Sequence, residues 1–279
     1  MSRRPIFLLT CLAFGFAFLY VPIVSMIVFS FNKSRLATVW GGFSTEWYGR
    51  LLDNELVMEA AALSLEIAFV SATFATVLGT MAGIALARFK RFRGRSLFSG
   101  MVTAPLIMPE VITGISMLMM FIVMAELIGW PSERGFTTIT LAHITFSMTY
   151  VATVVQSRLS EADVSIEEAA LDLGSRPWQV LLDITLPVIS PAIVTGWLLA
   201  FTISLDDVVI TSFTTGPGST TLPILIWSKV KLGVTPDINA LATIMVVVVG
   251  IVVIAASLSM NRYEARRERD AQLALKNNG

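Results

Sequence analysis

Residues 167–187 read EEAALDLGSRPWQVLLDITLP, a polar, acid-led stretch lodged between two long apolar runs. Ser165-Ile166-Glu167-Glu168 has the S-x-x-E form of a capping box, which predicts a helix start. Ile166, Ala169, Ala170 and Leu173 then recur at i, i+3, i+4 and i+7, one apolar face of a helix, while Glu167, Glu168 and Asp172 lie off it. Gly174 suits a left-handed C-terminal cap. Ser175 is placed to cap a second helix, with Pro177 in its first turn where a missing N–H costs nothing. Pro187 marks the start of the next apolar run. The stretch therefore reads as a helix–turn–helix outside lipid. A hairpin resting on the bilayer is the competing setting, but such helices normally carry Lys and Arg on the polar face. The first helix here carries only acids, which favours a protein partner against its small, Ala-rich face.

Outward from this stretch the chain is greasy. Of 279 residues, 55% are hydrophobic and 14% charged, against about 25% charged in a soluble protein. Six apolar segments, at about 6–31, 60–87, 97–128, 138–157, 188–213 and 238–260, are each long enough to cross a hydrocarbon core of about 30 Å. In lipid such runs must be helices, and the alternating strands of a membrane β-barrel are absent. The first segment is too long for a signal-peptide core and reads as an uncleaved span. Gly79-x-x-x-Gly83 allows close helix packing, and Pro105 and Pro109 must kink or break the third segment. The single cysteine, Cys11, reads as a buried, inert thiol, and the single histidine, His143, as a hydrogen-bonded structural residue without partners for metal or triad chemistry. The segment FSTEWYGRLL, 43–52, predicts a short interfacial helix capped at Ser44 or Thr45, with Trp47 and Tyr48 at headgroup level. TTGPGSTTLP, 214–223, predicts a loop with rigid turns.

Orientation follows from Lys and Arg. With the N-terminus inside, segments 1–5, 88–96, 158–187 and 261–279 hold fourteen of the twenty basic residues. The positive-inside rule then places both termini, and the 158–187 loop, in the cytoplasm. Segments 32–59, 129–137 and 214–237 become outer loops.

The ionisable residues within the six spans are Glu66, Glu110, Glu126, Asp206 and Asp207, with no Lys or Arg among them. Charge in hydrocarbon is expensive and defaults to function, and one sign alone points to a cationic solute. Glu110, following Pro109, suits both a helix cap and a path position. Asp206 and Asp207 point about 100° apart on a helix, so at most one faces a given path. Glu66 and Glu126 are compatible with interfacial positions as well. A diamine fits the inventory, since two ammonium groups need separated carboxylates and the linker tolerates apolar or aromatic walls such as Tyr150 and Trp197.

The 168–187 stretch resembles the cytoplasmic signature of bacterial ABC-importer permeases, E-A-A-x₃-G-x₉-I-x-L-P, here Glu168, Ala169, Ala170, Gly174, Ile184, Leu186 and Pro187 with no departure in spacing. The resemblance implies an all-α membrane protein with six transmembrane helices, a type I importer permease (methionine/maltose-permease-like) fold, in which this loop is the coupling helix seated on an ATP-hydrolysing subunit. GWPSERG (129–135), SLDDVVITSF (204–213), TGPGSTTLP (215–223) and INALAT (238–243) resemble the polyamine branch, most of all the second permease of putrescine importers. Relatives with similar Ser-Leu-Asp-Asp stretches handle spermidine and, more distantly, ferric ion.

The resemblance implies one permease domain over 1–279, with a coupling loop at 158–187 and a cytoplasmic tail at 261–279. It further implies a second permease partner, two ATP-binding subunits carrying ATP and Mg, a periplasmic polyamine-binding protein docked on the outer loops, and a place in the bacterial inner membrane. No G-x-x-x-x-G-K-[ST] occurs in the chain, so it has no P-loop of its own. The expectation is a transport subunit and not an enzyme, with no catalytic residue, metal or cofactor of its own and no nucleic acid. An ion-coupled secondary transporter would use the same carboxylates but leaves 168–187 unexplained. An intramembrane protease would need a nucleophile beside His143 or facing aspartates, whereas Asp206 and Asp207 are adjacent.

Overall fold

The third apolar run, expected as one span over 97–128, is two helices. In the computed structural model, which describes residues 3–35, 39–89, 91–233 and 235–277, α4 (Arg95–Ile107) stops before Met108 and α5 (Glu110–Ile128) starts after Pro109. Met108 is extended, at φ −76° and ψ 139°, as a residue preceding proline must be to avoid the ring. Pro105, by contrast, is carried inside α4.

The other helices are α1 (Arg3–Phe29), α2 (Glu46–Leu52), α3 (Glu55–Arg88), α6 (Phe136–Glu161), α7 (Ser165–Asp172), α8 (Pro177–Val180), α9 (Leu186–Asp206), α10 (Val209–Thr214), α11 (Leu222–Leu232) and α12 (Pro236–Asn277). Among the described residues, six stretches are long and apolar enough to cross a membrane: Ile6–Phe29, Glu55–Arg88, Glu110–Ile128, Phe136–Glu161, Pro177–Asp206 and Pro236–Ala255. The fold class is therefore the expected all-helical membrane type.

The hairpin's second helix is not separate from the fifth span. Leu181–Thr185 is a π-helical turn joining α8 to α9, so the helix runs unbroken from Pro177 to Asp206. The reason is Pro187, which lacks an N–H and crowds the carbonyl one turn back. A wider turn absorbs it, with the Leu186 N–H reaching back five residues to Leu181, where a separate helix was expected to end.

The chain forms two compact units, 1–59 with 225–279, and 60–224. In the first, Trp47 and Leu51 of α2 are buried. The Trp47 indole donates to the Asn32 carbonyl at 2.7 Å, and the Tyr48 hydroxyl pairs with Ser30 Oγ at 2.6 Å. Trp47 is thus a packed residue and not a headgroup anchor. Ser44 Oγ accepts the Glu46 N–H at 3.2 Å, so Ser44 makes the cap contact and Thr45 makes none. Cys11 is exposed on α1, a helix apolar on all sides, and not buried as expected.

In the second unit α6 is the most enclosed of the span-length helices. A Cβ on Gly79 would lie 2.7 Å from the Met148 carbonyl oxygen, and one on Gly83 2.8 Å from that of Ala152. These two glycines bring α3 backbone-close to α6, the geometry small-x-x-x-small spacing permits. Val151, Val155 and Leu159 of α6 then pack with Ala72 and Ala75 of α3 and Ile189 and Ala200 of α9. On another face Ala142 and Phe146 meet Met117 and Phe121 of α5 and Ile210 of α10.

Candidate functional site

The α9 helix ends at Asp206, and α10 starts at Val209, after two intervening residues. Asp207 has left the helical conformation, at φ −66° and ψ 125°. Its side chain explains both the stop and the restart. Oδ2 accepts the Thr211 N–H at 2.7 Å and the Thr211 hydroxyl at 2.7 Å, and Oδ1 accepts the Ile210 N–H at 3.3 Å. A carboxylate satisfying free N–H groups at a helix start is an electrostatic cap. The expected fifth span, 188–213, is therefore broken at Asp207.

His143, on α6, completes this corner. It is 3% exposed. Its Nε2 lies 2.9 Å from Thr211 Oγ1 and 3.3 Å from Asp207 Oδ2, and its Nδ1 lies 2.6 Å from Ser204 Oγ. Ser204 Oγ is 2.8 Å from Ser71 Oγ on α3. One polar chain thus crosses α3, α9, α6 and α10. The hydrogen-bonded histidine is legible from the sequence; its partnership with Asp207 is not, because the two lie on different elements far apart in the chain.

Asp206, next along the chain, points elsewhere and is exposed. Glu110, in the first turn of α5, is exposed as well. Gly114, one turn along α5, lies so close to α10 that a Cβ would sit 2.6 Å from the Phe213 ring. The two helix breaks, at 108–109 and 207–208, therefore share a neighbourhood. It presents two open carboxylates beside the C-terminal, carbonyl end of α9, which itself favours positive charge. Broken helices whose C-terminal ends face a cation are a recurring device of membrane transport sites.

The structure does not gather all five acids. Glu126 lies sixteen residues along α5 from Glu110, about 24 Å at helical rise. It lines a cavity of about 600 Å³ with Glu133, Arg134, Pro131 and Pro217. Glu66 is exposed on α3. Two residues before it, the buried Ser64 hydroxyl oxygen accepts the Leu222 N–H at 2.7 Å.

A second polar locus lies at the hairpin. The expected capping box at Ser165 and Glu168 is not formed: Ser165 is already helical, and Asp163 Oδ1 accepts its N–H at 2.9 Å. That bond holds the exposed Asp163 carboxyl below its ordinary range. Gly174 sits at φ +87°. Its N–H reaches Leu171 O at 2.9 Å and the Ser175 N–H reaches Ala170 O at 3.0 Å, the paired bonds of a Schellman turn. Arg176, and not Ser175, precedes α8, with the Gln179 side chain accepting its N–H at 2.8 Å.

Glu167 faces inward. Its Oε1 takes Arg88 Nη2 at 2.9 Å and the Thr185 hydroxyl at 3.0 Å, while Arg88 Nη1 donates to Leu159 O at 3.0 Å. The opposite side is open: Glu168 and Ala169 are exposed, Ile166 is 55% and Leu173 88% exposed. Of the remaining signature residues, Ala170, Ile184 and Leu186 are half-buried and Pro187 is exposed at the start of α9.

The family model described as "Binding-protein-dependent transport system inner membrane component" matches residues 75–269. The chain is 56% identical over 263 residues to the putrescine transport system permease protein PotI of Escherichia coli (strain K12), covering 94% of both chains. It is 44% identical to the spermidine/putrescine transport system permease protein PotC of the same strain, covering 87% of this chain and 89% of that one. Among solved structures, a bacterial ABC transporter involved in the import of the acidic polysaccharide alginate superposes with a TM-score of 0.69 at 16% identity, over 92% of this chain and 96% of that one.

Proposed function

Because the chain belongs to the family of binding-protein-dependent transport system inner membrane components, we propose that it is the permease subunit of an ATP-driven importer that carries a polyamine, putrescine first, across the inner membrane. It is a transport subunit and not an enzyme; ATP hydrolysis belongs to partner subunits. The observation that carries the choice of a cation is the juxtaposition of Asp206 and Glu110, two open carboxylates at neighbouring helix breaks. A protonated amine docked there meets two negative groups and the carbonyl end of α9. The identity to a putrescine permease over 94% of both chains supports the diamine. Spermidine is the second reading, supported by the 44% identity to a permease serving both.

The hairpin supplies the drive. Glu168, Ala169, Ala170 and Gly174 form the surface offered to an ATP-binding subunit, with Ile184, Leu186 and Pro187 leading the motion into α9. Leu173 is too apolar to remain 88% exposed in a finished assembly. The basic residues put this hairpin and both termini in the cytoplasm. The cargo path lies between this chain and a second permease, two ATP-binding subunits with ATP and Mg sit below, and a periplasmic binding protein delivers the polyamine from above. Closure of the ATP-binding pair moves the hairpins and opens the path outward; hydrolysis resets it. Glu126 and Glu66 are secondary stations for the cation.

The test is uptake by the complete complex in lipid vesicles, with labelled putrescine, spermidine and ferric ion in turn, with and without ATP. ATP-dependent putrescine uptake is expected. Uptake of ferric ion alone, or polyamine uptake by this chain without partners, would overturn the reading.

A further inference from the structure

The polar chain around His143 can be followed proton by proton. Ser71 Oγ donates to the Ile67 carbonyl at 2.6 Å. A hydroxyl has one proton, so in its 2.8 Å contact with Ser204 it must accept, and Ser204 must donate. Ser204 has then spent its own proton. The 2.6 Å contact between Ser204 Oγ and His143 Nδ1 therefore needs a proton on Nδ1. At the far side Thr211 Oγ1 gives its proton to Asp207 Oδ2 at 2.7 Å. The 2.9 Å contact between Thr211 Oγ1 and His143 Nε2 needs a proton on Nε2. With Asp207 ionised, both ring nitrogens donate and the ring is an imidazolium. Its counter-ion is at hand: Asp207 Oδ2 lies 3.3 Å from Nε2, and both Asp207 oxygens already accept backbone N–H groups, which marks it as the ionised form.

We propose that His143 is a fixed imidazolium that neutralises Asp207 and holds it as the cap of α10, so that of the adjacent aspartates only Asp206 is offered to a cationic solute. The cost of burying each charge is offset by the other and by the hydroxyl and N–H partners that complete their hydrogen bonding. His143 is thus a positioning residue. It sets the number of negative charges at the break: Asp206 and Glu110 remain as the exposed acids there. Among the described residues, α3 and α10 bring the hydroxyls of Ser71 and Thr211 to this corner. The protonation state stands on geometry alone; the selective role rests on the cation-transport reading above.

Because the chain has one histidine, its ring can be read without ambiguity. The experiment is solid-state NMR of the full chain, labelled with ¹⁵N-histidine, in lipid bilayers at neutral pH. Two N–H-bearing ring nitrogens are expected; one protonated and one bare nitrogen would overturn the proposal, whatever the cargo. Function gives a second arm in the assembled transporter. His143→Gln leaves a buried, uncompensated carboxylate and is expected to lower uptake at least about tenfold, the order of effect of breaking a buried pair. His143→Gln with Asp207→Asn removes both charges and is expected to recover uptake to within about threefold of wild type, the non-additivity of a coupled pair. A double variant as poor as the sum of its parts would remove the charge pairing.

Discussion

Arg88, the last residue of α3, donates Nη2 to Glu167 Oε1 of α7 at 2.9 Å, across 79 positions of sequence. Both side chains are largely enclosed, at 18% and 16% exposure, and the same guanidinium holds the end of α6 through Leu159 O. Three helices and the π-helical turn therefore meet at one ion pair. The joint links the hairpin to α3 and α6, and continuous backbone links it to α9.

Arg88→Gln and Glu167→Gln should each weaken that joint. Loss of one partner from an enclosed pair costs roughly 3 kcal/mol. The expected outcome is less polyamine moved per ATP hydrolysed by the assembled complex, with the double variant little worse than either single one. Unchanged stoichiometry in both single variants would show that the tie carries no force.

Gly174 is held at φ +87° with open space around its missing Cβ. The strain of a substitution there is conformational, about 1–2 kcal/mol for an ordinary side chain in the left-handed region and less for Asn. Gly174→Leu should release the ATP-binding subunit on purification and lower uptake, while Gly174→Asn retains more of both. Equal retention by the two variants would indicate that the turn's shape is immaterial to docking.

Gly79 and Gly83 fail by collision instead. An added Cβ meets the α6 backbone at 2.7 and 2.8 Å, and overpacking of this sort costs about 1–3 kcal/mol. Gly79→Ala should lower the thermal midpoint of the purified chain in detergent. Gly100→Ala in α4, where nothing lies within 4 Å, should leave it unchanged or raise it slightly. A midpoint insensitive to Gly79→Ala would show that α3 and α6 are not so closely apposed.

Much of this was legible in the sequence. Apolar run length fixes the helices, because lipid allows them no alternative, and Gly174 and Pro177 mark the hairpin through conformational requirements that act within a few residues. What was not legible is long-range. Nothing near Arg88 indicates that it binds Glu167 rather than joining the basic loop that follows it. Asp207 could not be separated from Asp206 by type or position, since the difference lies in His143 and Thr211, which reach it from another helix and from the next turn. The π-helical turn was missed because Pro187 reads locally as a boundary, whereas the helix widens to pass it.

Asp206 and Glu110 bear the central claim, that an acidic pair at neighbouring helix breaks passes a cation. The most direct measurement is ATP-driven uptake of labelled putrescine by the assembled complex in vesicles, comparing wild type with Asp206→Asn/Glu110→Gln while following ATP hydrolysis in the same samples. Uptake should fall at least about tenfold, the scale of one lost charged interaction or more, with the complex intact and still hydrolysing ATP. Undiminished putrescine uptake by that double variant would contradict the account.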